Sequence, residues 1–246
     1  MHTSAMKRIN ISLAPLVLTL CLLASCNYGA KPIDPQEPAA SSSSTNVTGL
    51  CHNAQNKKIN VQVRLAAVNA LGEFSTQYPE AVGALCKATE DEEWYVRLAA
   101  VNALGEFSSQ YSEAVGALCK ATEDEEWLVR QAAVQTLGEP NTLCRASLVA
   151  LLKTTKDTHG WVCWAAWEAL LSLKATNQFV PMLLACIKED QDSKVRLAAV
   201  KALEVLGITS EEALRVLREA INDSDSKVRQ AAEQALASLG ATNPAS

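Results

Sequence analysis

Two polar rows run through this sequence at a fixed interval. Asp91, Asp124, Asp157, Asp190 and Asp223 stand 33 residues apart, as do Arg64, Arg97 and Arg130; Arg196 and Arg229 resume the row after an interruption at Cys163. Such groups could form a ligand-binding row, but an arginine fork also bridges carboxylates or turn carbonyls. An acid at a helix N-terminus gains from the macrodipole. Recurrence in unit after unit favours a structural ladder over a ligand-binding row. The gap at Cys163 is expected to leave Asp157 less well partnered. The acidic runs Glu90 to Glu93 and Glu123 to Glu126 read as solvated turns, with a cation or a basic partner as the sharper alternative. No Ser-His-Asp set, phosphate loop or separate carboxylate pair stands apart from the pattern, so no catalytic, cofactor-binding or metal residue is assigned and the chain is expected not to be an enzyme.

The one local departure is aromatic. Trp161, Trp164 and Trp167 lie at i, i+3 and i+6, and Trp94 and Trp127 occupy nearly matching places in earlier units. Tryptophan is enriched at binding hot spots. The alternatives are extra packing where an array bends and a partner-binding patch on its concave side; Trp164 is expected to pack and Trp161, next to Gly160, to be exposed. Of the eight cysteines, Cys51, Cys86, Cys119, Cys144, Cys163 and Cys186 belong to the body of the chain, and no pair has C-x-x-C spacing. Cys86 and Cys119 occupy equivalent places in successive units. Neighbouring helices lie about 8 to 10 Å apart, beyond the roughly 7 Å limit on Cα separation for a disulfide. Most of these cysteines are expected to be small buried hydrophobes.

The elements that hold these side chains repeat too. VRLAAVNALGEF begins at Val63 and again at Val96; VRQAAVQTLGEP follows at Val129, VCWAAWEALLSL at Val162, VRLAAVKALEVL at Val195 and VRQAAEQALASL at Val228. Residues 63–95 and 96–128 differ only at Thr76/Ser109, Pro79/Ser112 and Tyr95/Leu128, which marks a recent duplication. Val96, Ala99, Ala100, Ala103 and Leu104 form one helical stripe. A first helix precedes each such second helix: Leu85, Leu118, Leu151, Leu184 and Leu217 are in the same register, backed by Val82, Val115, Leu148 and Leu214. Gly72, Gly105 and Gly138 are placed to end second helices, and Thr209 with Glu212 is a candidate capping box. Glu233 and Gln230 replace apolar residues in the last unit, as a capping helix requires. Gly49 and His52 replace Val or Leu in the first, whose opening helix should be short and frayed.

These residues resemble HEAT-like repeats of the phycobilin-lyase type, in which an acid-rich turn precedes VRxxAAxALG. The resemblance implies an all-α fold over residues 48–240: a right-handed α-solenoid of about six two-helix repeats. Ankyrin repeats share the period, but T-P-L-H-x-A appears nowhere. The implied function is a scaffold that binds a protein or peptide on its concave surface. The alternative is an enzyme or chaperone-like relative of the bilin lyases, or a degenerate hydroxylase of the iron-dependent kind whose HEAT-like repeats present His-Glu pairs. His2, His52 and His159 are followed by Thr3, Asn53 and Gly160, so no such pair exists here.

The N-terminus has its own logic. Lys7 and Arg8 precede an apolar run from about Ile9 to Leu23, too short for a comfortable membrane span, and small residues follow. Leu23-Ala24-Ser25-Cys26 resembles the lipobox of bacterial lipoproteins, which implies cleavage after a signal at 1–25 and lipidation of Cys26. Residues 26–47, with Pro32, Pro35, Pro38 and the run Ser41 to Ser44, read as a disordered tether. Residues 241–246 form a tail. The expected location is the bacterial cell envelope, lipid-anchored, with Asn27 after the cysteine favouring the outer membrane by resemblance to enteric sorting rules. Among 246 residues, 22 are basic and 27 acidic, with no basic block, which makes nucleic acid a poor partner.

Overall fold

The computed structural model describes residues 43–73, 78–107 and 110–240. The signal, Cys26, most of the tether and the tail at 241–246 lie outside these residues. Each valine-initiated segment forms the second helix of a hairpin, giving twelve α-helices and no strand among the described residues. Unit 1 pairs α1 (Ser43–Gln55) with α2 (Val61–Glu73), and unit 2 pairs α3 (Pro79–Ala88) with α4 (Trp94–Gly105). Unit 3 comprises α5 (Ser112–Ala121) and α6 (Trp127–Leu137). A short 3-10 turn at Pro140–Thr142 leads to unit 4, with α7 (Arg145–Thr154) and α8 (Gly160–Leu173). Units 5 and 6 comprise α9 (Phe179–Glu189) with α10 (Ser193–Val205), and α11 (Glu211–Ala220) with α12 (Ser226–Ser238).

The core runs the length of the stack. Leu85, Leu118, Leu151, Leu184 and Leu217 of the first helices are buried against Val101, Val134 and Val200 of the second helices and their register mates. Alanines at the helix contacts let the backbones approach. Val96, Val129, Val162, Val195 and Val228 are buried, whereas the equivalent Val63 is 45% exposed, because no second helix precedes it among the described residues. Glu233 and Gln230 are exposed on α12.

Four local expectations are corrected. The first helix begins at Ser43, inside the segment assigned to the tether, with Val47 buried; at 13 residues it is not short. The cap of α11 is Ser210, whose hydroxyl accepts from the Ala213 amide at 3.3 Å, and not Thr209. Gly72 and Gly105 lie within their helices, and Gly138 has right-handed dihedrals. Their role is steric: a Cβ on Gly72 would sit 3.1 Å from the Ala103 Cβ, and one on Gly138 would sit 2.7 Å from that of Ala169. The left-handed terminators are Gly207 (φ 61°), after which the Ile208 amide donates back to the Leu203 carbonyl, and Gly240 (φ 69°) after the last helix.

Candidate functional site

The polar rows form a ladder that reaches forward by one unit. Arg64 grips both oxygens of Asp91 at 2.8 Å, and Arg97–Asp124, Arg130–Asp157 and Arg196–Asp223 repeat that grip within 2.7–2.9 Å. The third guanidinium nitrogen donates to carbonyls of the turn before its own helix, as Arg97 does to Asp91 and Glu92. Each aspartate also accepts from the amide two residues on, such as Glu93 to Asp91 at 3.0 Å. Burial raises the Asp91 and Asp157 carboxyls, but their arginines and these amides outweigh it and hold both below the usual carboxylate range. Asp223 is held down chiefly by Arg196.

Because each fork reaches forward, Cys163 orphans a different acid from the one expected. Asp157 is gripped by Arg130 of the preceding unit; the aspartate that loses its fork is Asp190. A half-exposed Arg145 substitutes weakly, at 3.4 Å to Asp190 and 3.3 Å to Glu189.

The helices part at the same junction. Successive first helices pack along the whole array, and so do second helices α2 to α4, α4 to α6, α6 to α8 and α10 to α12. Helix α8 has no comparable contact with α10, which leans instead on α7. Side-chain size accounts for the break. Where Gly72, Gly105 and Gly138 admit the next helix, unit 4 has Leu171; where units 1, 2, 3 and 5 have Val, it has Trp167; where the other units have Leu or Gln, it has Trp164. In unit 5 the acid at the glycine position, Glu204, turns aside to accept from Ser238, and α12 still packs. The long side chain of Lys174 reaches across to the Leu206 carbonyl at the far end of the opened joint.

This leaves the forward face of α8 bare. Trp161, Trp164 and Leu171 are 58%, 46% and 60% exposed, whereas Leu65, Leu98, Gln131 and Leu197, register mates of Trp164, are at least half-buried. Trp164 is therefore a surface residue and not the packing residue expected; Trp167 packs against the core. Trp161 and Trp164 meet edge to face with centroids 6.3 Å apart. With His159 and Gly160 they line an open hollow of about 470 Å³. The His159 ring stacks on Trp127 of unit 3 at 4.1 Å, joining a third tryptophan to the group, and its Nδ1 is buried without a hydrogen-bond partner. Trp94 stands apart, one unit earlier, against Tyr95.

The profile of HEAT repeats matches residues 53–138, 90–170, 115–204 and 180–246. The chain belongs to the HEAT repeat family. Solved structures similar to this HEAT array include the CpcE–CpcF complex of phycocyanin lyase from Nostoc sp. PCC7120 (24% identity, 85% of this chain and 82% of that one covered, TM-score 0.46). Others are human deoxyhypusine hydroxylase (15%, 80% and 97%, 0.35) and computationally designed armadillo repeat proteins for modular peptide recognition (19%, 78% and 99%, 0.39). Among curated proteins none matches the chain.

Within the HEAT array the cysteines are free thiols, and of the six only Cys186 is buried, so most are not the buried hydrophobes expected. The partly buried Cys86 and Cys119 thiols are pushed up to about 11, chiefly by partial desolvation, which keeps them protonated and poor nucleophiles at neutral pH. No three His, Cys, Asp or Glu side chains among the described residues could hold a metal together, and no described helix is long and apolar enough to cross a membrane. Sequence reasoning missed His159 and Leu171. The signal for Leu171 was present, since it breaks the glycine register at Gly72, Gly105 and Gly138.

Proposed function

We propose that this HEAT repeat scaffold binds a protein or peptide partner on the concave, second-helix side of the stack, with Trp161 and Trp164 as principal contacts and Trp127 and Trp94 extending the row. The carrying observation is the bare forward face of α8: large apolar side chains stand in solvent where other units cover that position with the next helix. Exposed tryptophans in a concavity are the usual material of binding hot spots. The scaffold performs no catalysis and needs no cofactor on this reading. Lipid on Cys26 tethers it to a membrane of the bacterial envelope, the outer one in a Gram-negative cell, since a double or triple acyl anchor holds stably.

The test uses full-length protein with Trp161→Ala or Trp164→Ala to recover partners from membranes. Each substitution should weaken capture by about 2 kcal/mol with an unchanged melting temperature; normal capture by both variants would remove the patch from consideration. Cys26→Ser should move the protein into the soluble fraction, and continued sedimentation with alkali-washed membranes would rule out the tether.

A further inference from the structure

We propose that the hollow beside Gly160 is a pocket for one aromatic side chain of the partner, a tryptophan, tyrosine or phenylalanine standing where earlier units carry an indole of their own. This rests on the binding reading above and adds the class of side chain that the partner must present.

The repeat register carries the inference. Gly160 opens α8 at the position where Trp94 opens α4 and Trp127 opens α6. The three helix entrances share one backbone shape: φ and ψ of the preceding residue are −93° and 119° at Glu93, −88° and 123° at Glu126, and −90° and 118° at His159. A side chain at position 160 would therefore leave the helix much as Trp94 and Trp127 do. Nothing in the fold asks for glycine there. Its φ is not left-handed, and a Cβ built on it would have no atom within 4 Å. Gly138, by contrast, is held to glycine by Ala169, which a Cβ would meet at 2.7 Å. Glycine also weakens a helix relative to residues with a side chain. Neither backbone conformation nor close packing accounts for Gly160, and the space that an indole takes in units 2 and 3 is left open beside it.

The remaining walls of that space are rings. Besides Gly160, the hollow is lined by His159, Trp161 and Trp164. His159 is fixed by its stack on Trp127, and Trp161 and Trp164 stand at 86° to one another. Unit 2 shows how a further ring sits against such a wall. Trp94 meets Tyr95 edge to face with centroids 5.8 Å apart, and Trp161 occupies the register position of Tyr95. A partner's ring beside Gly160 repeats that contact on Trp161. Edge-to-face and offset ring pairs gain more than their buried area alone supplies, which selects an aromatic over an aliphatic side chain. The hollow, at about 470 Å³, falls toward the low end of the roughly 300–1,000 Å³ of small-ligand sites, a size suited to one side chain.

The test titrates the full chain carrying Cys26→Ser, isotopically labelled on nitrogen, with unlabelled N-acetyl-L-tryptophanamide and in parallel with N-acetyl-L-leucinamide. The five tryptophans give indole N–H signals that single substitutions assign. The tryptophan probe should shift the Trp161 and Trp164 signals saturably, and the leucine probe should bind several-fold more weakly. Gly160→Ala changes the same helix entrance but leaves the hollow open, and it should keep the affinity. Gly160→Trp fills the hollow with the chain's own indole and should raise the Kd at least about tenfold with helical circular dichroism retained; Gly160→Phe does the same with a smaller ring. Equal binding of the two probes, no saturable shift at Trp161 and Trp164, equal loss with Gly160→Ala, or undiminished binding by folded Gly160→Trp and Gly160→Phe overturns the aromatic pocket. Recovery of partners from membranes separates that failure from failure of the binding face. Capture lost with Trp164→Ala and kept with Gly160→Trp removes the pocket and leaves the face, whereas capture kept by Trp161→Ala, Trp164→Ala and Gly160→Trp alike removes both.

Discussion

Asp91 is held by an arginine fork, by a turn amide and by near-complete enclosure, with side chains 6% and 2% exposed across the Arg64–Asp91 pair. Removing one partner of a buried pair strands the other charge, so Asp91→Ala should destabilise by about 3–5 kcal/mol. Asp190→Ala should cost about 1 kcal/mol or less, because its only arginine is the half-exposed Arg145. Urea unfolding of the two variants side by side measures the contrast; equal losses would mean that the forks do not set ladder stability. The pH dependence follows from Asp91, Asp157 and Asp223, all depressed in the folded chain. Above the ordinary aspartate pKa of about 4 these groups are charged folded or unfolded, and their contribution is whole. As pH falls below that value the unfolded chain takes up protons first, and the contribution declines until the folded carboxyls protonate too. The urea midpoint should therefore drop between pH 4 and pH 2.5, and Asp223→Asn should flatten part of that drop.

A helix-capping glycine and a glycine inside a helix separate packing from intrinsic helix preference. A methyl on Gly138 would meet the Ala169 Cβ at 2.7 Å and its Cα at 3.1 Å, and the second of these is backbone that cannot step aside. Gly138→Ala should destabilise by about 1–3 kcal/mol. Gly116 in α5 has nothing within 4 Å of its would-be Cβ, so Gly116→Ala should stabilise by about 0.5–1 kcal/mol. Opposite shifts in thermal unfolding check the pair. The helices themselves could be read from sequence because an apolar stripe is a local property and six copies in register repeat the evidence. The role of Gly138 could not be read so directly: the same residue suits a helix terminus and a close crossing, and only the position of α8 decides between them. Asp157 was misjudged for a related reason. The sequence shows an arginine near an aspartate in its own unit, while the fork spans to the aspartate 27 residues ahead. The surface tryptophans were visible as an oddity, but Trp164 shares its register with residues that pack, and its exposure depends on where α10 went.

The ladder and the stripes make the stack divisible. Excising residues 63–95 joins α1 to a copy that differs at three positions and keeps Arg97 facing Asp124, so every remaining junction is one the chain already contains. The shortened protein should keep its helical circular dichroism per residue and unfold at lower urea, since stability in such arrays sums over units and their interfaces; a featureless spectrum would show that the units are not interchangeable. The joint has a different consequence. Without a fork to Asp190 and without second-helix contact, units 5 and 6 adjoin the rest through a reduced interface, and two repeats are fewer than the about three that usually sustain an array alone. Under native conditions, backbone amides of α10 and α12 should therefore exchange with solvent deuterium through a partial opening that leaves α4 and α6 protected, so that the last two units come and go as a foldon of their own.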